Sequence, residues 1–266
     1  MSFEGFGSVV KKELHVFYVL DISGSMSGAP ITALNDAMRD TIAELADISA
    51  TSNEAALKIA VLTFDNNVVW VTQGENGLED AEDFVWTDLT AGGLTYLGAA
   101  LRELNKKLSR NEMMSASTGN KIPVIIFMSD GQPNDAWIEA LDSLKENKWF
   151  KAAIKIAFAL GDDADCDVLA KVVGGPEAVI KTNDLEVFKK LIKIVSVTSS
   201  LASSQSRLSD EGATGSSIVD QVTGGKSADG GSVSITDLPD PTYTSIYGDS
   251  GAQGGSFDDP DFSDWA

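Results

Sequence analysis

Histidine and cysteine are nearly absent from this sequence, which has one of each, His15 and Cys166, among its 266 residues. A single cysteine excludes a disulfide within the chain. The chain also lacks the histidines and cysteines that zinc sites normally use. Residues 24–28, GSMSG, match the G-x-S-x-G pattern of a serine nucleophile, but the one histidine precedes them, whereas hydrolases of that type need it downstream. These absences exclude a disulfide scaffold, a zinc module and a Ser-His-Asp hydrolase.

Long apolar runs are also missing. No run approaches the ~20 residues that cross a bilayer as a helix. The first residues, MSFEGFGSVVKKE, do not have the charged and then apolar layout of a secretory signal. Together with the single cysteine, these features predict a cytoplasmic protein without a membrane-spanning segment.

Basic residues are outnumbered two to one. The chain has 20 Lys and Arg against 40 Asp and Glu, which gives a formal net charge of −20. Such a surface repels nucleic-acid phosphates and anionic lipid headgroups, so neither nucleic acid nor a membrane is expected as a partner. The acidic surface suits divalent cations and basic protein surfaces, or it serves only to keep the protein soluble.

The first three-quarters of the chain alternates apolar strands with helical segments. Because the strands are continuously apolar, both of their faces should be covered, which is typical of a parallel sheet between helices. We therefore predict a Rossmann-like, doubly wound α/β fold. The main strand segments are LHVFYVL (14–20), ALKIAVLTF (56–64), VVWVT (68–72), PVIIFMSD (123–130) and AIKIAFAL (153–160).

The composition changes after about residue 200. Residues 207–266 contain eleven acidic and two basic side chains, ten glycines and ten serines, with few large apolar groups. Such a segment buries too little apolar surface to offset the entropy of ordering it. We predict an N-terminal extension (1–12), one folded domain (13–200) and a disordered acidic tail (201–266).

A cluster of small oxygen-bearing residues follows the first strand in VLDISGSMSG (19–28). Neither G-x-x-x-x-G-K-[ST] nor G-x-G-x-x-G occurs there, which argues against a phosphate cradle. Asp21, Ser23 and Ser25 instead offer a carboxylate and two hydroxyls at alternate positions. These are oxygen ligands, which a small hard cation such as Mg²⁺ prefers.

Three ligands from one loop do not complete an octahedron. Two further candidates stand where neighbouring loops should reach the same sheet edge: Thr95, which ends AGGLT, and Asp130, which ends IIFMSD. The alternative is that all five residues only cap helices and form turns, as Ser, Thr and Asp commonly do. Asp135 is expected to be a helix N-cap and not a ligand.

The pattern Asp21-x-Ser23-x-Ser25, followed by Thr95 in GGLTYLGAAL and Asp130 in MSDGQPND, resembles the metal-ion-dependent adhesion site (MIDAS) of von Willebrand factor A domains. The likeness covers about residues 13–198 and is greatest to the bacterial TerY type, which is associated with tellurium resistance. It implies a mainly parallel six-stranded sheet, with residues 68–72 forming an antiparallel edge strand.

The resemblance also implies a function. In this family the ion, Mg²⁺ or Mn²⁺, leaves one coordination position open for an acidic side chain of a partner protein, and no reaction need occur. The two serines, Ser23 and Ser25, would contact the ion directly, Asp21 and Asp130 would balance its charge, and Thr95 would join when the partner's carboxylate arrives. For a TerY-type module the implied partners are a protein kinase and a PP2C-like phosphatase.

Two other functions stay open at this stage. One is that an aspartate of the acidic tail occupies the open metal position and blocks partners until it is displaced. The other is a Mg²⁺-dependent phosphohydrolase that uses the same carboxylates, although the sequence offers no evident nucleophile or base for it.

Overall fold

The computed structural model describes residues 11–53, 55–130, 132–161, 164–205 and 214–223. The strands are β1 (Lys12–Asp21), β2 (Ala55–Phe64), β3 (Val68–Trp70), β4 (Glu79–Asp80), β5 (Val124–Ser129), β6 (Ile154–Leu160) and β7 (Val179–Thr182). The helices are α1 (Ala29–Thr51), α2 (Leu97–Lys107), α3 (Trp137–Lys145), α4 (Lys148–Ala152), α5 (Cys166–Val173), α6 (Leu185–Gln205) and α7 (Gly215–Thr223). No helix in these ranges is long and apolar enough to cross a membrane.

One sheet runs through the domain in the order β3-β2-β1-β5-β6-β7. Strands β2, β1, β5, β6 and β7 pair in parallel, and β3 is antiparallel to β2 at one edge. This confirms the predicted fold class and the antiparallel edge strand. The sheet differs from the expected six strands by the two-residue β4, which also pairs with β2. A strand of two residues is too short to give a periodic signal in the sequence.

Helices cover both faces of the sheet, so alternate residues of a strand enter different cores. On β1, Val16, Tyr18 and Leu20 pack in the layer that contains α1 and α6. Phe17 and Val19 pack in the layer that contains α2 and α3. All five side chains are fully buried. The two-sided burial explains why the central strands read as continuous apolar runs.

The carboxyl ends of β1 and β5 lie side by side. These two neighbours are parallel, with Leu20 opposite Met128, so the residues that follow each strand emerge at the same edge of the sheet. The connection from β1 goes to α1 and the connection from β5 goes to α3. A crevice at such an edge is where ligands bind in open α/β sheets.

The domain extends beyond the expected boundary at residue 200. Helix α6 continues to Gln205, and residues 215–223 form α7, whose apolar side chains Ile218, Val219 and Val222 are buried in the α1–α6 layer. At its start, a Cβ on Gly215 would lie 1.8 Å from the Lys155 carbonyl oxygen, so α7 touches β6 directly. Three apolar residues in a Gly- and Ser-rich segment do not predict a helix from the sequence, because the core that buries them comes from other parts of the chain. The rest of the expected tail, 206–213 and 224–266, and residues 1–10 of the expected extension lie outside the described residues.

Candidate metal centre

Asp21 ends β1 and is fully buried. Its Oδ1 accepts a hydrogen bond from the Ser23 backbone N–H at 2.8 Å. Its Oδ2 accepts one from the Ser129 hydroxyl at 2.6 Å. Burial raises the pKa of this carboxyl, and the bonds from Ser129 and Ser23 offset that effect in part. With one bond already on each oxygen, Asp21 is better placed to act on an ion through water than to give up both bonds.

The two serines follow Asp21 in a short turn that contains a 3₁₀ helix, Gly24–Met26. The hydroxyl oxygens of Ser23 and Ser25 lie 3.1 Å apart. Ser23 is buried, whereas Ser25 is exposed. Ser25 donates its hydroxyl hydrogen bond to Asp130 Oδ1 at 2.8 Å. Hydrogen bonds therefore link Asp21 to Asp130 through Ser23 and Ser25, and the site opens to solvent at Ser25.

Asp130 directly follows β5 and is partly buried. Burial raises the pKa of its carboxyl, the Ser25 hydrogen bond lowers it, and the nearby negative charge of Asp21 raises it further. The two carboxylates have raised pKa values and repel each other, and a bound cation would relieve this repulsion.

The loop that contains Thr95 packs against the serine loop through backbone hydrogen bonds. The residues before Thr95 lie on the serine loop, because Gly24 N–H donates to Gly93 O at 3.0 Å and Gly92 N–H donates to Ile22 O at 2.8 Å. Thr95 itself is 5% exposed. The structure thus brings the loops of all five predicted residues together, four of them joined by hydrogen bonds and Thr95 through its neighbours.

Glycine allows this close approach. Gly93 has a φ of +83°, and a Cβ there would lie 2.2 Å from Asn66 Oδ1. A Cβ on Gly24 would lie 3.3 Å from Gly93 O, which is already tight. A side chain at Gly24 would press on the backbone of the Thr95 loop, and one at Gly93 would collide with the Asn66 side chain in a left-handed backbone conformation, so both positions favour glycine.

Sequence reasoning missed several residues that shape the site. Asn66 Oδ1 accepts the Leu94 N–H at 2.8 Å, and Asn134 Oδ1 accepts the Thr95 N–H at 2.8 Å. The expected N-cap, Asp135, does cap a helix, but it caps α2 and not the helix that follows it: it accepts from Gly98 and Ala99 N–H at 2.8 and 2.9 Å. The sequence did show polar residues after β2 and β5, which indicates loops near the site. Their hydrogen-bond partners could not be identified from it, because they lie at least 28 positions away.

The donor set fits a hard divalent cation. It consists of two carboxylates and three hydroxyls, all oxygen ligands. Among the described residues no three His, Cys, Asp or Glu side chains gather as a metal cluster, so a cation here would depend on hydroxyls and water for most of its shell. His15 is elsewhere, with Nε2 3.0 Å from Glu13 Oε2 and Nδ1 3.3 Å from Met114 Sδ.

Comparison with known proteins agrees with the fold. Residues 15–194 match the von Willebrand factor type A domain, and the chain belongs to this family. A curated relative is the human inter-alpha-trypsin inhibitor heavy chain H6, which is 24% identical over 176 residues, 60% of this chain. The match spans only 12% of the human protein, so the likeness concerns one domain of it.

Solved structures share the fold. A von Willebrand factor type A protein from Catenulispora acidiphila superposes with a TM-score of 0.54 and 17% identity, covering 71% of this chain and 43% of that one. The proximal thread matrix protein 1 of the mussel byssus, in a structure with a zinc-occupied MIDAS motif, gives 0.52 and 19%, covering 70% and 48%. The chain thus spans less than half of each of these structures.

Proposed function

We propose that this chain is a divalent-cation-dependent protein-interaction module. In this proposal Asp21, Ser23, Ser25, Thr95 and Asp130 hold Mg²⁺ or Mn²⁺, and one coordination position takes an acidic side chain of a partner protein. The observation that carries the proposal is the 2.8 Å contact between Ser25 Oγ and Asp130 Oδ1, which joins two predicted ligands 105 positions apart. Capping or turn formation explains neither this contact nor the approach of the Thr95 loop.

The proposed cation supplies positive charge at a point where this chain places two carboxylates. Its own residues then have defined tasks. Ser23 and Ser25 present hydroxyl oxygens, Ser129 holds Asp21 in place by a 2.6 Å hydrogen bond, and the exposed Ser25 marks the side from which a partner would approach.

The proposal contains no catalytic step. A hydrolase would need a base beside the cation, and the one histidine cannot serve. His15 is six residues before Asp21 on β1, a separation of about 20 Å along a strand. It is 0% exposed, and burial, as the largest cause, lowers its pKa despite the opposing effect of its hydrogen bond to Glu13.

The finer part of the proposal concerns the cellular setting. By its motif the chain resembles the TerY type, so we place it in the cytoplasm, in a stress-response complex of the tellurium-resistance kind with a protein kinase and a PP2C-like phosphatase as partners. The human and mussel relatives are similar in the domain alone, so they do not favour one setting over another.

A pull-down with the full chain tests the proposal. Partners are expected on the resin in Mg²⁺ and absent in EDTA, and absent in both for Asp130→Asn, which keeps the shape of the side chain but removes its charge. Asp80→Asn is the matched control, because Asp80, on β4, pairs with Lys58 of β2 at 2.8 Å, and Lys58 lies opposite His15, six residues before Asp21 on β1. Equal capture in Mg²⁺ and EDTA would show that the interaction does not use the cation.

A further inference from the structure

Asn134 makes two hydrogen bonds to the same residue, Thr95. Its side-chain Oδ1 accepts the Thr95 N–H at 2.8 Å, and its own backbone N–H donates to Thr95 O at 2.8 Å. Both backbone polar groups of Thr95 are therefore bound by one residue, 39 positions further along the chain. Such a reciprocal pair fixes the position and the orientation of the Thr95 backbone.

The segment that contains Asn134 starts at Asp130. It leaves β5, passes Asn134 and enters α3 at Trp137. The next residue, Asp135, holds the first turn of α2 through Gly98 and Ala99. A Cβ on Gly98 would lie 2.7 Å from Ala136 O, so this segment and α2 are in direct contact. One stretch of chain thus joins the Asp130 end of the site to the Thr95 end.

Thr95 needs such a partner. Residues 87–95 form neither helix nor strand, so no ladder of backbone hydrogen bonds holds this loop. The backbone N–H groups of the neighbours of Thr95 each make one hydrogen bond, Leu94 N–H to Asn66 Oδ1 and Tyr96 N–H to Asp65 O, and Asn134 adds the two bonds to Thr95 itself. Ordering a residue at the moment of binding, rather than on folding, weakens binding. The two hydrogen bonds between Asn134 and Thr95, which we call the clamp, form on folding and so avoid this loss of affinity.

We propose that Asn134 is a positioning residue for the cation site, which acts by holding Thr95 so that its hydroxyl is in place when a cation and a carboxylate arrive. The inference rests on the proposed function. Because Asn134 does not reach the cation in this scheme, its whole effect on affinity passes through Thr95.

A double-mutant cycle on the full chain tests this. Mn²⁺ is titrated by calorimetry in acetate buffer, where acetate supplies the carboxylate of a partner. Loss of a residue that orients a metal ligand typically weakens affinity about 10- to 100-fold, and we expect this for Asn134→Ala and for Thr95→Val. The double variant should bind no more weakly than Thr95→Val alone. Affinity of Asn134→Ala within about twofold of wild type, or independent effects that multiply, would overturn the inference.

Asn147→Ala is the matched control. Asn147 also fastens loops, with its Nδ2 donating to Leu108 O at 2.8 Å and its Oδ1 accepting from Trp149 N–H at 2.9 Å, but it lies before β6, away from the candidate site. It should lower the melting temperature and leave Mn²⁺ affinity unchanged. If it weakens Mn²⁺ binding as much as Asn134→Ala does, the effect is general loosening and the inference fails.

Two further variants separate the outcomes. If Asn134→Ala does not fold, Asn134→Gln, which moves the amide oxygen one methylene away from Thr95, should show the same loss, and wild-type affinity in that variant counts against the clamp. Asp130→Asn tests the site itself. If wild type binds Mn²⁺ and Asp130→Asn does not, wild-type affinity in the Asn134 variants contradicts the role of Asn134 and leaves the proposed function standing. When wild type does not bind Mn²⁺, the proposed function fails with it.

Discussion

Ser25 and Asp130 share a 2.8 Å hydrogen bond although one follows the first strand and the other the fifth. The contact exists because β1 and β5 are parallel neighbours, which brings the residues after each strand to one edge. It gives the acidic end of β5 a hydroxyl partner in the serine loop. Any cation that enters this crevice must compete with or replace that bond.

Mn²⁺ or Mg²⁺ should raise the melting temperature of the wild-type chain. A ligand that binds only the folded state at 100 times its dissociation constant stabilises it by about 2.7 kcal/mol. Differential scanning calorimetry with and without the cation measures this. The shift should vanish in Asp21→Asn and Asp130→Asn and persist in Asp80→Asn. A full shift in both site variants would place the cation elsewhere.

The stabilisation by Mn²⁺ should grow as the pH rises above about 4, the ordinary carboxyl pKa. Burial raises the pKa values of Asp21 and Asp130, so in the cation-free protein the stability linked to these groups is complete below their unfolded values and is lost as the pH rises through the folded ones. Cation binding requires the ionised carboxylates. It therefore offsets the loss of stability that these carboxylates cause, and this loss increases with pH. Melting curves at several pH values, with and without Mn²⁺, measure the difference. A shift that is independent of pH would contradict this linkage.

Lys155 should make the chain more stable as the pH rises from 8 towards 10.5. Burial lowers the pKa of its ammonium group to about 8 from an ordinary value of 10.5. A folded value below the unfolded one means that stability is gained above the folded value and complete above the unfolded value. Urea unfolding of wild type and Lys155→Gln over this range should show a rising difference in favour of wild type. Lys106→Gln is the control, since Lys106 is exposed on α2 and should give parallel curves.

Gly215→Ala should destabilise the domain by about 1–3 kcal/mol, the usual effect of overpacking. A Cβ at this position meets the Lys155 carbonyl oxygen at 1.8 Å, and a backbone atom of a central strand cannot move aside as a flexible side chain does. Urea unfolding of the full chain measures the change. Gly92→Ala is the control, because a Cβ there has no neighbour within 4 Å. Equal stability of the two variants would mean that α7 does not pack on β6.

The MIDAS-like pattern could be recognised in the sequence because its two aspartates sit at the ends of apolar strands. Asp21 and Asp130 each close a run of buried residues, and the carboxyl ends of parallel strands meet at one edge. The antiparallel edge strand was readable for a similar reason, since Asp65, Asn66 and Asn67 form a turn between two apolar segments. Both are local signals: strand periodicity and turn chemistry.

The amino-acid sequence by itself determined the class of fold and the oxygen-bearing residues at one edge of the sheet, because strand burial and side-chain chemistry are properties of short segments. Only the tertiary structure showed how Thr95 is held and that residues 215–223 pack on the domain. Asn134 and Asn66 act on residues 28 or more positions away, and α7 gains its apolar partners from the α1–α6 layer. Such contacts depend on which segments the folded chain brings together, and no short stretch of sequence contains both partners.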